Sequence, residues 1–517
     1  MRTGLNVGWR AALAAAVLAG FVGAARADVV RVAQGDLAGV TANGVESFKG
    51  IPFAAPPVGD LRWRPPQRPA SWTGVKQANA FGPICMQAAR GFFGAMPMSE
   101  DCLTLNVWRP AGAKPGEKLP VMVWIYGGAF VQGAASAPFY DGTRFARDGV
   151  ILVSLNYRVG RFGFFAHPAL DGEAEPFGNY GLMDQIAGLK WVKANIDRFG
   201  GDPANVTVFG ESAGAISVNY LMGSPAAKGL FDKAIAESGF GRTDPRPLTG
   251  ERSAEAVGVA FAEAHGIKGA DAAAAAALRA LPAQAVNAPV SGLTDPTIPG
   301  PMLDGRIVTQ SIHAAFAKGE EAHVPYLEGG NSYEASLFPR VGDHPEPVIA
   351  RFGDPAKVEA LYGGAPAPEL ARELTTDSMI TEPDRFLARQ MAKQGLPVWV
   401  YHFSYVPAAT RASTYGAAHG SELIYVFDNL PDRPITYGAR TIPAATDADR
   451  QVSRAMHAYW VAFAKAGNPG SAGGPAWPRF GAGGEQLLEF GADGVSVRRD
   501  FEKARLDMIM QSRKSPS

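Results

Sequence analysis

The sequence contains little cysteine and no excess of either charge. Its 517 residues include two cysteines and eight histidines, and 49 basic residues balance 49 acidic ones. It has neither the basic runs that bind nucleic acid nor an acidic tail. The HExxH motif and clusters of His and Cys at metal-ligand spacing are also missing. We therefore expect no nucleic-acid partner, no metal and no organic cofactor.

Long apolar runs are confined to the N-terminus. Arg2 and Arg10 give the start of the chain a positive charge, and residues 11–24 are apolar. Ala25-Arg26-Ala27 then has the small-x-small pattern of a signal-peptidase site. The run is short for a bilayer span, so an uncleaved anchor helix is the less favoured alternative. We predict a signal peptide over residues 1–27 and a mature chain starting near Asp28. This chain is expected to be exported to the bacterial periplasm or secreted, with no membrane span after signal removal.

The two cysteines are Cys85 and Cys102. In an exported protein an isolated pair favours a disulfide over two free thiols. A disulfide that closes a loop of this size stabilises a fold by roughly 3 kcal/mol in the chain-entropy model.

No internal repeat and no charged or Ser-rich linker divides the chain, so we predict a single domain over residues 28–517. Hydrophobic residues make up 47% and charged residues 19%, the balance of a soluble globular enzyme. Short β-branched runs alternate with helical stretches, which predicts an α/β fold with a mostly parallel central sheet covered by helices. The predicted strands are 103–108, 121–126, 151–156, 206–209, 233–237, 325–327 and 398–403.

Two stretches have helical periodicity. Apolar residues recur at helical spacing over 181–196, between two predicted strands. The Ala-rich run 272–281 keeps Leu278 and Leu281 on one face, which favours a helix of an outer subdomain over a low-complexity linker. The Gly-rich segment 481–484 is predicted to be a turn, because it lacks the strand-then-helix setting of a nucleotide-binding loop.

The strongest chemical signal is GESAG at 210–214. It follows the predicted strand 206–209 and opens a helical stretch, the setting of a nucleophile elbow that exposes Ser212 on a tight turn. The flanking glycines are needed because a side chain there would collide with the neighbouring strand and helix. Ser212 is therefore the predicted nucleophile.

The segment YGGAF, at 126–130, lies at the end of another predicted strand and has three small residues at its centre. A tetrahedral intermediate needs N–H donors for its oxyanion, and small residues let backbone amides reach a substrate oxygen. We predict that Gly128 and Ala129, with Ala213 after the nucleophile, form the oxyanion hole. The alternative is a Gly-rich turn that only ends a strand.

Further motifs extend over nearly the whole mature chain. They read FKGIPFAAPP, LRW, EDCLTLNV, NYGLMDQ, FGGDP and YWVAFAKAGNP, at 48–57, 61–63, 100–107, 179–185, 199–203 and 459–469. With GESAG, this ordered set resembles the type B carboxylesterases, the cholinesterase-like branch of the α/β-hydrolases. The resemblance implies the α/β-hydrolase fold with helical outer subdomain insertions, and an exported bacterial member of the family.

The resemblance also implies an acid and a base for Ser212. The family's acid position corresponds to Glu334 in GGNSYE, although Tyr333 stands where the family usually has Asp. The family's histidine corresponds to His419 in AHGSEL, and the order Ser212, Glu334, His419 agrees with the nucleophile–acid–base order of this fold. From the residues alone, the other histidines would remain open as candidates.

Other family features correspond less closely. Cys85 and Cys102 match the family's first disulfide, and the further cysteine pairs of many animal members are missing. Glu211 and Ser238 match positions of a supporting polar network, although either could be solvated or capped.

These residues predict hydrolysis of a small-molecule carboxylic ester through an acyl-enzyme intermediate. His419 acts as the general base, so the rate should rise through the neutral region. A catalytically inactive adhesion module is the rival class, and it is disfavoured because all three triad residues are present. Amidase and thioesterase activities remain alternatives, and neither the natural ester nor the oligomeric state can be read from the sequence.

Substrate selection is the most open point. Phe130, Phe164, Phe165 and Phe338 are candidate pocket walls. Arg161 stands where the family usually has a small or neutral residue, and it could pair with a second carboxylate on the substrate's acid part. The alternative is that Arg161 reaches solvent or pairs with a structural acid.

Overall fold

The structure is a computed structural model that describes residues 25–88, 91–171, 178–287, 293, 295–437 and 440–513. Residues 1–24, the greater part of the predicted signal peptide, lie outside the described residues. Among the described residues, no helix is both long and apolar enough to cross a bilayer.

Within the described residues, a sheet of 13 strands forms the centre of the molecule. The strands, β1 to β13 in chain order, are Ala25–Val32, Gly35–Ala42, Val45–Pro52, Val75–Gln77, Thr104–Pro110, Leu119–Ile125, Ile151–Leu155, Gly201–Glu211, Lys233–Glu237, Tyr326–Asn331, Val398–Phe403, Gln486–Gly491 and Gly494–Arg499. Their order is β1-β2-β3-β5-β7-β6-β8-β9-β10-β11-β12-β13, with β4 beside β2. The seven strands from β7 to β12 in this order are parallel, and antiparallel strands flank them on both sides.

All seven predicted strands exist; 233–237 and 398–403 have the predicted ends, and the ends of the other five are shifted. Strand β8 starts five residues before the predicted 206, because Gly201 already pairs with Leu119 ahead of an irregularity in the register. Strand β10 continues to Asn331 rather than ending at 327, since its two glycines still pair with β11. The antiparallel strands at the two edges were not predicted.

Helices of seven residues or more cover the sheet. Helices α1 to α10 are Tyr180–Asn195, Ala213–Gly223, Ala254–Ala264, Ala272–Ala280, Ile312–Lys318, Pro355–Leu361, Ala367–Thr376, Glu382–Lys393, Asp447–Ala466 and Lys503–Ser512. Both predicted helices are present, as α1 and α4, and the side chain of Asp271 caps the N-terminus of α4. A π-helical turn, Asp377–Thr381, joins α7 directly to α8.

The parallel strands place the chemically important loops at one edge. The elbow follows β8, the YGGAF loop follows β6, and the segments with Glu334 and His419 follow β10 and β11. Because the carboxyl ends of parallel strands meet at one edge, segments up to 290 residues apart in sequence come together there.

The two cysteines lie beside this edge. Cys85 and Cys102 form a disulfide that closes a 17-residue loop. Both are buried, and the carbonyl of Cys102 accepts a hydrogen bond from the side chain of Asn156 after β7. The disulfide therefore ties the segment around Cys85 to the residues directly before β5.

Candidate active site

Ser212 lies on a strained turn between β8 and α2. Its φ is 56° and its ψ is −123°, a combination that non-glycine residues rarely adopt. A Cβ on Gly210 would approach the carbonyl oxygen of Ile125 to 2.6 Å, and one on Gly214 would approach it to 2.0 Å. Only glycine fits at both positions, so the glycines allow the turn to press against β6 while the serine points outward.

Glu334 is fully buried and receives three donors. Its Oε2 is 2.5 Å from Nδ1 of His419, and its Oε1 accepts the Oγ–H of Ser238 at 2.5 Å and the N–H of Asn331 at 2.7 Å. Hydrogen bonds to both oxygens fix the carboxylate plane, so Glu334 can hold the imidazole ring in one orientation.

His419 is held from its backbone as well as its ring. Its N–H donates to Ser336 Oγ at 2.9 Å, and the preceding carbonyl, that of Ala418, accepts from Asn331 Nδ2 at 2.9 Å. Nε2 lies 3.0 Å from Glu211 Oε1, without the alignment of a hydrogen bond. The ring thus has a carboxylate at each nitrogen.

The electrostatics of this cluster follow from burial and from the carboxylates. Burial by itself lowers the pKa of His419, but Glu211 and Glu334 outweigh burial and raise this pKa above its usual value. Burial also raises the pKa of Glu211 to about 7 and that of Glu422 to about 8. At neutral pH these two acids can hold protons, which reduces the negative charge around the imidazole.

The YGGAF loop runs close to the elbow. A Cβ on Gly127 would be 2.7 Å from the carbonyl of Glu211 and 2.9 Å from Cβ of Ser212. Gly128 and Ala129 have positive φ, 113° and 56°. Among the described backbone hydrogen bonds outside helices and strands, neither donates its N–H. Ala213 is the first residue of α2, so its N–H has no intrahelical acceptor.

The end of β9 connects Ser212 to Glu334. The carbonyl of Glu237 accepts the N–H of Ser212 at 2.9 Å, and the next residue, Ser238, donates to Glu334. Trp460 Nε1 of α9 donates to Glu237 Oε1 at 2.7 Å. Burial, followed by the charge of Glu422, raises the pKa of Glu237 well above its usual value.

The structure brings Ser212, Glu334, His419 and the three predicted N–H donors to the same edge of the sheet. Sequence reasoning missed Asn331 and Ser336, which hold Glu334 and His419 in place. Both lie within three residues of Glu334, which is the only signal that could have identified them. Among the described residues, no group of His, Cys, Asp or Glu is arranged to hold a metal.

The predicted pocket walls are found in different surroundings. Phe164 packs edge-on against Phe130, and Phe165 stacks on Trp63, so these side chains belong to the hydrophobic core. Phe338 lines a separate pocket, described below.

Arg161 is half-buried, with its guanidinium 5.1 Å from the ring centre of Phe261. Burial lowers the pKa of Arg161, and the charge of Asp295 opposes this shift. The nearby Asp295 supports the alternative in which Arg161 pairs with an acid of the protein. The hypothesis that Arg161 binds a substrate carboxylate requires an experimental test.

Comparisons with known proteins bear on the chemistry of this site. The sequence matches the profile described as "Carboxylesterase family" over residues 26–352 and 367–509. It is 40% identical to the fumonisin B1 esterase of Sphingopyxis macrogoltabida, over 87% of this chain and 84% of that protein. It is 36% identical to the para-nitrobenzyl esterase of Bacillus subtilis, over 94% of this chain and 99% of that protein. Among solved structures, a carboxylesterase of Geobacillus stearothermophilus superposes with a TM-score of 0.78, at 33% identity over 92% of this chain and 99% of that one.

Proposed function

The chain belongs to the carboxylesterase family, and from that premise we propose that Ser212, His419 and Glu334 hydrolyse a carboxylic ester through an acyl-enzyme intermediate. The protein is a carboxylesterase with the α/β-hydrolase fold. Its mechanism and its site residues are the subject of the proposal.

Acylation begins when Nε2 of His419 takes the proton of Ser212 Oγ and the oxygen attacks the ester carbonyl. The N–H groups of Gly128, Ala129 and Ala213 bind the oxyanion of the tetrahedral intermediate. The intermediate collapses, and the leaving alcohol takes the proton from Nε2. Glu334 keeps the ring oriented and stabilises its charged form.

Deacylation repeats these steps with water. His419 removes a proton from the water, whose oxygen attacks the acyl carbon. The acid leaves, and the proton on Nε2 returns to Ser212 Oγ. A protonated Glu211 favours the neutral imidazole that both half-reactions require, which its pKa of about 7 allows near neutral pH.

One observation carries the proposal: Glu334 binds Nδ1 of His419, while Ser212, whose N–H donates to the carbonyl of Glu237, is held in elbow geometry at the same edge of the sheet. Nδ1–H bound to a carboxylate leaves Nε2 as the basic nitrogen. Thioester hydrolysis is a second candidate, because a duck relative at 33% identity is called a fatty acyl-CoA hydrolase precursor. The same triad could perform either reaction.

The test is covalent labelling combined with substitution. A fluorophosphonate should label the enzyme once, and peptide mapping should locate the label on Ser212. Ser212→Ala should fold normally, remain unlabelled and lose several orders of magnitude in kcat. Ser238, also buried at this edge, is the matched control: a label on Ser238, or substantial activity in Ser212→Ala, would overturn the assignment.

A further inference from the structure

A pocket of about 830 Å³ lies between the segment after Glu334 and the end of helix α7 with the π-helical turn that follows it. Its volume is in the range of small-molecule sites. Neither Ser212 nor His419 lines it. The pocket is therefore a candidate site outside the residues of the proposed mechanism.

One part of the pocket is apolar. Leu337 and Phe338, at the end of the short helix that begins with Glu334, line it together with Phe352 and Met379. All four side chains are only partly buried. They therefore leave apolar surface that an aliphatic chain could cover.

Two arginines, Arg340 and Arg351, complete the lining. Both residues are exposed. Among the described residues, no carboxylate oxygen lies within 4.0 Å of either guanidinium. The pocket thus combines apolar walls with cations that no described acid neutralises.

The surroundings add positive charge. Arg513 donates to the carbonyl of Ser378, a lining residue, and its Nε is 3.2 Å from Glu382 Oε2. The other oxygen of Glu382 binds Arg242 at 2.6 Å. One carboxylate therefore faces two guanidiniums on this side of the pocket, an arrangement that favours an anion.

The backbone at the pocket is unusual. Ser378 and Met379 belong to the π-helical turn between α7 and α8, a rare conformation that is frequent at functional sites. Phe352 also packs against a small core that contains Val358 and Tyr362. These last two residues lie in 353–366, between the two ranges that match the family profile. Part of the support for the pocket therefore lies outside the ranges that match the family profile.

We propose that this pocket binds a single-chain anionic amphiphile, with its carboxylate or sulfate at Arg340 and Arg351 and its aliphatic chain on Leu337, Phe338 and Met379. The site is additional to the ester-hydrolysing centre. It contacts the segment that holds Glu334, because the N–H of Ala335 donates to Thr376 Oγ1 at 3.1 Å and the neighbouring Thr375 lines the pocket.

Calorimetric titration of the full mature enzyme with decanoate and decyl sulfate tests the proposal. Both should bind, whereas decyltrimethylammonium, which has the same chain and the opposite charge, should not. From octanoate to dodecanoate, each methylene should tighten binding by about two- to fourfold. The Arg340→Gln/Arg351→Gln variant should weaken decanoate binding by about tenfold.

Controls separate this site from other sources of binding. Arg68→Gln, an exposed arginine elsewhere, should leave decanoate binding unchanged. The double variant should hydrolyse 4-nitrophenyl acetate at the wild-type rate, which verifies its folding independently of the amphiphile. Unchanged decanoate binding in the double variant would overturn the proposal, since the ligand would then lie elsewhere, for example beside Ser212.

Two further outcomes would also overturn it. Equal affinity for the cationic amphiphile would show that charge plays no part. Binding to vesicles of anionic phospholipid without binding of free decanoate would indicate a membrane surface rather than a single-chain ligand. Inhibition of 4-nitrophenyl acetate hydrolysis is not required, so the test does not depend on the assignment of Ser212.

Discussion

Three carboxylates surround the imidazole of His419, and Glu211 is the one that faces Nε2. Negative charge favours the imidazolium and so opposes the neutral form that acts as a base. Burial counteracts this effect, because it raises the pKa of Glu211 to about 7 and allows the acid to hold a proton. His419 and Glu211 are therefore expected to titrate as a coupled pair.

Glu211→Gln should move the acid limb of the kcat/KM profile to lower pH. Removing the charge at Nε2 makes the imidazolium less stable, so the pKa of His419 falls, by about one to two units. The measurement is kcat/KM for a neutral ester between pH 5 and 10. The matched control is Glu117→Gln, on the exposed surface, which should keep the wild-type profile. A limb that stays in place or moves to higher pH would contradict this account of His419.

A second prediction at this scale concerns Arg161. If its guanidinium binds a carboxylate of the substrate, Arg161→Met should raise KM for esters of di- and tricarboxylic acids and hardly change it for an aryl acetate. The structure also offers Asp295 as an acid of the protein for Arg161. Equal effects on both kinds of ester, or none on either, would assign Arg161 to a structural role.

Among the elements, the π-helical turn between α7 and α8 combines an unusual backbone with a buried acid. Its first residue, Asp377, accepts the Oη–H of Tyr362 at 2.8 Å. Burial raises the pKa of Asp377 to about 7. An acid whose pKa is higher in the folded state than in the unfolded state stabilises the fold. This contribution is present in full at pH values below the pKa of the unfolded state. That contribution is lost as the pH rises through the folded pKa.

We therefore expect the free energy of unfolding to fall between about pH 4 and pH 7, by a few kcal/mol from Asp377. Asp377→Asn cannot ionise, so it should reduce this slope and be more stable than the wild type at pH 8. Urea unfolding at pH 4, 6 and 8 measures the effect. Asp493→Asn, in an exposed turn, should leave the slope unchanged. A variant less stable than the wild type at pH 8 would argue against a buried, costly charge.

At the scale of the whole molecule, the N-terminal strand passes through the predicted cleavage site. Strand β1 is Ala25–Val32, and its register shifts between Arg26 and Val29. Cleavage before Asp28 would remove only the two pairs on the far side of this irregularity. The four pairs from Val29 to Val32 would remain. The mature chain could therefore keep its place beside β2.

We predict that the exported protein begins at Asp28, as intact-mass measurement and N-terminal sequencing would show. A chain that lacks residues 1–27 should unfold at the same urea concentration as the exported protein. Retention of the first 27 residues in the exported protein would contradict the signal-peptide assignment.

Some features could be predicted from the sequence because their causes are local. The strand before GESAG and the helix after it follow from β-branched runs, glycines and helical periodicity within about 20 residues. The parallel sheet follows from the alternation of such segments. The predicted ends were wrong where pairing with a neighbour decided them, as for β8 and β10. The π-helical turn has no short sequence signal of its own.

The sequence by itself predicted the elbow at Ser212, seven of the 13 strands of the described sheet and, through the family resemblance, Glu334 and His419 as the acid and the base. Only the tertiary structure decided what faces these residues. Glu334 accepts from Ser238 across 96 residues, and Trp460 reaches Glu237 across 223. Such contacts form because the sheet brings together segments that are far apart in sequence. Hydrogen bonding and burial depend on distances in space, whereas local sequence patterns relate only residues that are close along the chain.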